Sequence, residues 1–167
     1  MDVSKIDKKL LIICIVLPLL VGALSALLTR ESMMLFASVQ KPPLSPPGWL
    51  FPVVWTILYT LMGIASYLVL TSEAPKEEIV KALNVYLYQL LVNFLWSTWF
   101  FNFQWYLFAF FWLVLLWVMI LVTLVRFYRI SKLAGYLLIP YLLWVTFAGY
   151  LNFGVFLLNY SFVYSPF

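Results

Sequence analysis

Five stretches of this chain, at residues 10–28, 50–70, 82–103, 105–125 and 133–160, contain no Asp, Glu, Lys, Arg or His. Each is close to or above the roughly 20 apolar residues that a helix needs to cross the hydrocarbon core of a bilayer. All six acidic and all ten basic residues lie outside these runs. The alternation of apolar and polar residues that a barrel strand needs is absent. The expected fold is therefore all-α, an integral membrane bundle of five transmembrane helices, with residues 1–167 forming one domain. Composition agrees: 66% of residues are hydrophobic, 20% aromatic and only 10% charged, too few charges to cover a soluble surface.

Several functions are excluded at this level. The net charge is +4 and the basic residues are scattered, which argues against a nucleic-acid partner. There is no histidine, and Cys14 is the only cysteine. Zinc chemistry of the usual kind, a His-based triad and a disulfide-stapled fold are thereby removed. The first run follows Lys8 and Lys9, as a signal peptide would. Its 19 residues exceed the ~7–15 of such a segment, and Ile12 and Ile13 deny Cys14 a lipobox, so it is read as a retained helix.

With five spans, Lys5, Lys8, Lys9, Lys76, Lys81, Arg126, Arg129 and Lys132 fall on one side, and Arg30 and Lys41 on the other. Eight against two predicts a cytoplasmic N-terminus and an outside C-terminus. Gln104 alone nearly makes the third connection, so helices three and four form a tight hairpin. The first connection, residues 29–49, is the longest. It carries Pro42, Pro43, Pro46 and Pro47, which stiffen it into extended or turn geometry. Such a loop is either a lid over one mouth of the bundle or a rigid spacer.

The absence of ionisable residues inside the spans counts against ion-coupled transport, pumping and acid–base hydrolysis. What remains is amides, hydroxyls and indoles. Gln89, Asn93, Trp96 and Phe100 share one face of helix three. Two amides on a membrane helix need partners inside the bundle, so they are interhelical glue or part of a site. Trp55, Tyr59 and Gly63 form a stripe on helix two, and Tyr141, Trp144, Ala148 and Asn152 on helix five, next to Leu151. Gly22, Ser25 and Ala26 give helix one a small-residue face suited to close packing. Trp49, Trp105 and Trp99 fit interfacial anchors; Trp55, Trp96 and Trp144 do not. Aromatics with a few amides suit a large, flat, mostly apolar ligand.

The stretch Lys41-Pro42…Pro46-Pro47-Gly48-Trp49…Trp55…Tyr59…Gly63 resembles the first-loop and second-helix signature of the tryptophan-rich sensory protein and translocator protein (peripheral-type benzodiazepine receptor) family. Gln89-Leu90…Asn93…Trp96…Phe100-Phe101 and Pro140-Tyr141…Trp144…Phe147…Leu151-Asn152 agree with it in order and spacing. The resemblance implies a pocket roofed by the first loop, with Pro42, Pro43, Pro46 and Pro47 in the lid. Pocket positions carried over are Trp55, Asn93, Trp144, Ala148 and Leu151, with Phe36 as lid aromatic. The stripes add Tyr59, Gln89 and Trp96. It also implies a homodimer and a tetrapyrrole ligand such as protoporphyrin IX, with no cofactor required. This chain departs from the family in three places. Leu44 replaces the usual tryptophan between the proline pairs, helix four lacks an acidic residue, and no basic residue follows Leu158 and Tyr160 to complete a sterol pattern. A bacterial cell membrane is the expected location. Three functions remain: a porphyrin-binding receptor or sensor, a transporter of tetrapyrroles or other metabolites, and a light-dependent porphyrin-degrading enzyme using Trp55 and Trp144.

Overall fold

A computed structural model describes residues 6–164. The helices are α1 (Lys8–Leu35), α2 (Leu50–Leu70), α3 (Lys76–Ser97), α4 (Tyr106–Ile130), α5 (Lys132–Leu137) and α6 (Ile139–Tyr164). Among the described residues all regular structure is helical, and five helical segments are long and apolar enough to cross a membrane. The short α5 and the long α6 together supply the fifth. They part at Leu138, just before Pro140; proline lacks the amide needed to continue the ladder from α5.

The charge-free runs locate the helices but understate their length. α1 continues through Arg30 and Glu31 to Leu35, so the first connection begins near Phe36, where a single 3₁₀ turn spans Phe36–Ser38. α4 includes Arg126 and Arg129, and α3 starts at Lys76, which leaves a second connection of only 71–75. Charged side chains at helix ends reach the interface while their backbone stays helical. The expected hairpin between α3 and α4 is present. α3 passes through a π turn, Thr98–Asn102, and Gln104 turns the chain with φ 54°.

The two ends of the bundle differ. Toward loop two, Met62, Ala65, Val69, Leu116, Ile120, Phe127 and Leu138 form a closed core, each at most 1% exposed. Gly63 permits it: a Cβ there would stand 2.5 Å from the Ile15 Cα and 2.7 Å from the Cys14 carbonyl. Backbones of α1 and α2 therefore touch at this level, as small residues allow in membrane helices. Toward loop one the helices enclose space instead.

Candidate ligand-binding site

A cavity of about 900 Å³ lies at the loop-one end, walled by α1, α2, α3 and α6 and crossed by the proline-rich loop. Its size is within the range of small-molecule sites. Trp55 and Tyr59 come from α2, Asn93 and Trp96 from α3, and Trp144, Ala148 and Leu151 from α6. Phe36 stands at the rim and meets Phe100 and Phe101 edge-on, at centroid distances of 5.2 and 5.3 Å. Helical spacing and the family resemblance together thus named eight positions that line this one cavity.

Gln89 is the exception and corrects the expectation that it faces a ligand. It is on the same stripe, but one turn deeper, and it does not line the cavity. Its Oε1 accepts from the Tyr141 hydroxyl at 3.1 Å, and its amide nitrogen lies 3.8 Å from the Met62 sulfur. Tyr141 is itself 1% exposed and belongs to the core beneath the cavity. Asn93 Nδ2 donates to the same hydroxyl at 2.6 Å. Asn93 therefore serves both roles left open by the sequence: it ties α3 to α6 through Tyr141, and it stands in the cavity wall. Within the described residues its Oδ1 accepts no hydrogen bond, which leaves an acceptor for an occupant.

The indoles divide in the same way. Trp96 Nε1 donates to Asn152 Oδ1 at 3.2 Å, and Asn152 Nδ2 donates to the Tyr106 carbonyl at 2.7 Å. That chain joins three helices and fixes the Trp96 ring, which stacks on Phe100 at 5.2 Å. Trp55 packs against Tyr59 (5.3 Å) and Tyr141 (6.0 Å), and Trp144 against Phe51 (6.0 Å). Neither Trp55 nor Trp144 gives its N–H to a described residue, and both line the cavity. On α1 the small residues do more than pack helices. Gly22 makes room for the Tyr59 ring, while Ser25, Ala26 and Thr29 line the cavity.

The loop is fastened to α6, by residues that sequence reasoning missed. Asn159 accepts from the Gln40 N–H (3.2 Å) and donates to the Gln40 carbonyl (2.9 Å), imitating a strand partner. The Tyr150 hydroxyl donates to the Pro43 carbonyl at 2.8 Å. Pro42 is buried against Gly154, where a Cβ would meet its ring at 2.6 Å. Of the four lid prolines, Pro46 and Pro47 line the cavity, whereas Pro42 and Pro43 hold the loop to α6. Leu44, which replaces the family's tryptophan, is 81% exposed at φ 65° and is not part of the wall. A second, more open groove lies between loop one, α4 and α6 and runs along Ser38, Gln40, Trp105, Phe108 and Asn159.

The wall holds hydroxyls, amides, indoles and one lysine, and neither Asp nor Glu. Such groups orient and stack; they carry no general acid–base pair. Among the described residues no three His, Cys, Asp or Glu side chains converge as a metal site would require.

Fold and cavity together define an integral membrane protein whose helices enclose a roofed, aromatic, mostly apolar chamber. The TspO/MBR family pattern matches residues 14–158. Tryptophan-rich protein TspO of Chlorobaculum tepidum is 42% identical over 150 residues, covering 89% of this chain and 95% of that protein. Translocator protein of Bos taurus is 38% identical over 139 residues, 82% of each. Tryptophan-rich sensory protein of Cereibacter sphaeroides is 35% identical over 126 residues, 75% of this chain and 77% of that one. The chain belongs to the TspO/MBR family.

Proposed function

We propose that this protein is a membrane receptor that binds a porphyrin, of the protoporphyrin IX kind, in the cavity under loop one. The observation that carries this reading is the combination of three tryptophans, Trp55, Trp96 and Trp144, with the amide of Asn93 in one chamber of about 900 Å³. Large aromatic faces suit a flat macrocycle, and the amide oxygen suits its pyrrole N–H groups. With no histidine in the chain, the usual axial ligand for haem iron is missing, so metal-free porphyrin is preferred over haem. Reception is favoured over translocation because the chamber is blind: Met62, Leu116, Ile120 and Phe127 close the bundle below it.

The test is titration of the purified protein with protoporphyrin IX and with haem in darkness. Asn93→Leu is expected to weaken protoporphyrin binding about tenfold, the equivalent of one hydrogen bond of ~1–1.5 kcal/mol. Trp144→Phe, which removes the N–H and the larger face, is expected to weaken it less. Thermal midpoints taken on the same preparations separate binding from folding. Lower midpoints with undiminished affinity in both variants would refute the assignment. A second reading, light-driven oxidation of porphyrin by dioxygen at Trp55 or Trp144, is supported by the presence of both indoles in the chamber lining. It requires illuminated porphyrin to disappear with the wild type and to persist with Trp144→Phe or Trp55→Phe.

The proposal includes a bacterial cell membrane and a cytoplasmic N-terminus, on the eight-to-two distribution of basic residues. The cavity mouth then faces outward. A reporter fused after Phe167 should be active only outside the cytoplasm; activity inside would invert the arrangement.

A further inference from the structure

α3 and α4 carry their basic residues in unlike company. At the start of α3, Lys76 and Lys81 stand among Glu73, Glu77 and Glu78, and Lys81 pairs with Glu77. At the corner between α4 and α5, Arg126, Arg129 and Lys132 have no acid beside them in sequence, because Glu78 is the last acidic residue of the chain. Among the described residues none of the three is in an ion pair. Val118, Val122 and Val125 form an exposed apolar stripe along α4. At helical spacing that stripe runs on into Arg126, four residues after Val122, and into Arg129, four after Val125. One face of α4 is thus apolar along the span and doubly cationic at its end. The corner that follows is held firmly. Ser131 leaves the helix in extended geometry, φ −145° and ψ 114°, and its Oγ accepts from the Ala134 N–H. Gly135 then lies on α4, where a Cβ would come within 2.5 Å of the Tyr128 Cβ. The exposed rings of Tyr128 and Tyr136 meet edge-on at 5.5 Å, and tyrosine favours the level of the lipid headgroups.

We propose that this corner binds an anionic phospholipid of the leaflet on the loop-two side. An acyl chain lies along the valine stripe, and the phosphate sits against Arg126, Arg129 and Lys132. An apolar face that ends in cations fits an amphipathic anion; a free phosphate would leave the valines uncovered. Arginine presents a planar fork of donors that matches phosphate oxygens, and such charge-assisted bonds are stronger than neutral ones. Any lysine or arginine is drawn to an anionic surface, but at α3 the neighbouring acids offset that pull. At the α4–α5 corner nothing on either helix offsets it, and the bend fixes the spacing of the three cations. The assignment is independent of what occupies the chamber, which lies at the opposite end of the bundle.

Native mass spectrometry of the purified full chain tests this, with dioleoylphosphatidylglycerol or dioleoylphosphatidylcholine added to the detergent. It reads how many lipids stay bound and their relative affinities. The wild type is expected to prefer phosphatidylglycerol about tenfold or more, since one basic residue beside an anionic surface already gives about fivefold. Arg126→Gln, Arg129→Gln and Lys132→Gln combined should abolish the preference. Arg126→Lys with Arg129→Lys keeps the charge and loses the fork, and its preference should fall between the two. Lys76→Gln with Lys81→Gln removes two cations from the same side of the bundle and should leave the preference intact. Glycerol phosphate, the headgroup anion without its chains, should not compete. Arg129 and Lys132 are exposed and Arg126 is half-buried, and unchanged thermal midpoints in detergent alone would verify that the variants fold. An equal loss in the Lys76 and Lys81 variant would reduce the effect to general surface charge and overturn the site. An undiminished preference in the triple variant, or a wild type that binds both lipids alike, would overturn it too. Competition by glycerol phosphate would overturn the lipid as occupant. Porphyrin binding should be the same in every variant, so neither reading stands or falls with the other.

Discussion

The loop-two half and the loop-one half of this bundle are built from the same helices, yet one is solid and the other hollow. In the solid half Gly63 brings the α2 backbone onto α1 at Cys14 and Ile15, and side chains such as Met62, Val69 and Ile120 fill what is left. In the hollow half Gly22 of α1 gives room to the Tyr59 ring, and Ser25 and Ala26 line the chamber together with Trp55. Lipid gives helices no hydrophobic reason to collapse on one another, so an open chamber persists where side chains are not shaped to close it. A small residue thus has two uses in one chain: where it meets backbone it seals, and where it meets a side chain it makes room.

The sharpest break in that comparison is Gly63→Leu. The new side chain collides with backbone atoms of α1, which cannot turn aside. Overpacking of this kind costs about 3 kcal/mol, read as a large fall in thermal midpoint in detergent. Gly22→Ala should cost much less, because the atoms nearest its Cβ belong to the Tyr59 ring and not to backbone, and a ring beside the cavity can turn aside. Equal losses at the two positions would erase the distinction between the halves.

A smaller effect is expected at the boundary, where Tyr141 binds both Gln89 and Asn93. Tyr141→Phe leaves an amide oxygen and an amide N–H buried without their partner. The expected cost is about 1–2 kcal/mol, between the penalty for an unsatisfied buried group and the milder values seen in membranes. Porphyrin affinity should hold, since the phenol is not in the wall. A loss of affinity with unchanged midpoint would make the floor of the cavity part of the site.

How much of this was legible beforehand depends on range. The five crossings are written in the charge-free runs, because each charge inside a span carries a penalty that selection avoids. The inward stripes are written in helical spacing, and Asn93, Trp55 and Trp144 were found that way. Gln89 was misjudged because a stripe gives direction and not depth. Which amide reaches the cavity depends on the level at which α1 and α2 separate, and that level is set by contact of Gly63 with a different helix. The true ends of α1 and α4 were hidden because Arg30, Glu31, Arg126 and Arg129 stay helical past the apolar run. Lys41 was counted for topology and as the start of the loop-one signature, but not for the cavity, since no local pattern says that a loop lysine overhangs a chamber.

The fastening of the loop was the least legible feature, for Gln40 and Asn159 are 119 residues apart. It also sharpens the comparison of the halves, because a hollow end without its roof would be open to water and lipid. Asn159→Ala removes both hydrogen bonds to Gln40. The freed peptide groups lie at an exposed position where water can satisfy them, so the cost to stability should be small, ~0.5–1 kcal/mol. The kinetic effect should be larger than the thermodynamic one. A loosened loop no longer confines the occupant, and most affinity changes in related complexes reside in the dissociation rate. Protoporphyrin IX should therefore leave Asn159→Ala several times faster than the wild type, with a nearly unchanged association rate. Stopped-flow displacement in darkness measures this. Dissociation at the wild-type rate, with the Gln40–Asn159 pair demonstrably broken, would reduce the loop to a spacer between α1 and α2, and the chamber would have to retain its ligand by its walls alone.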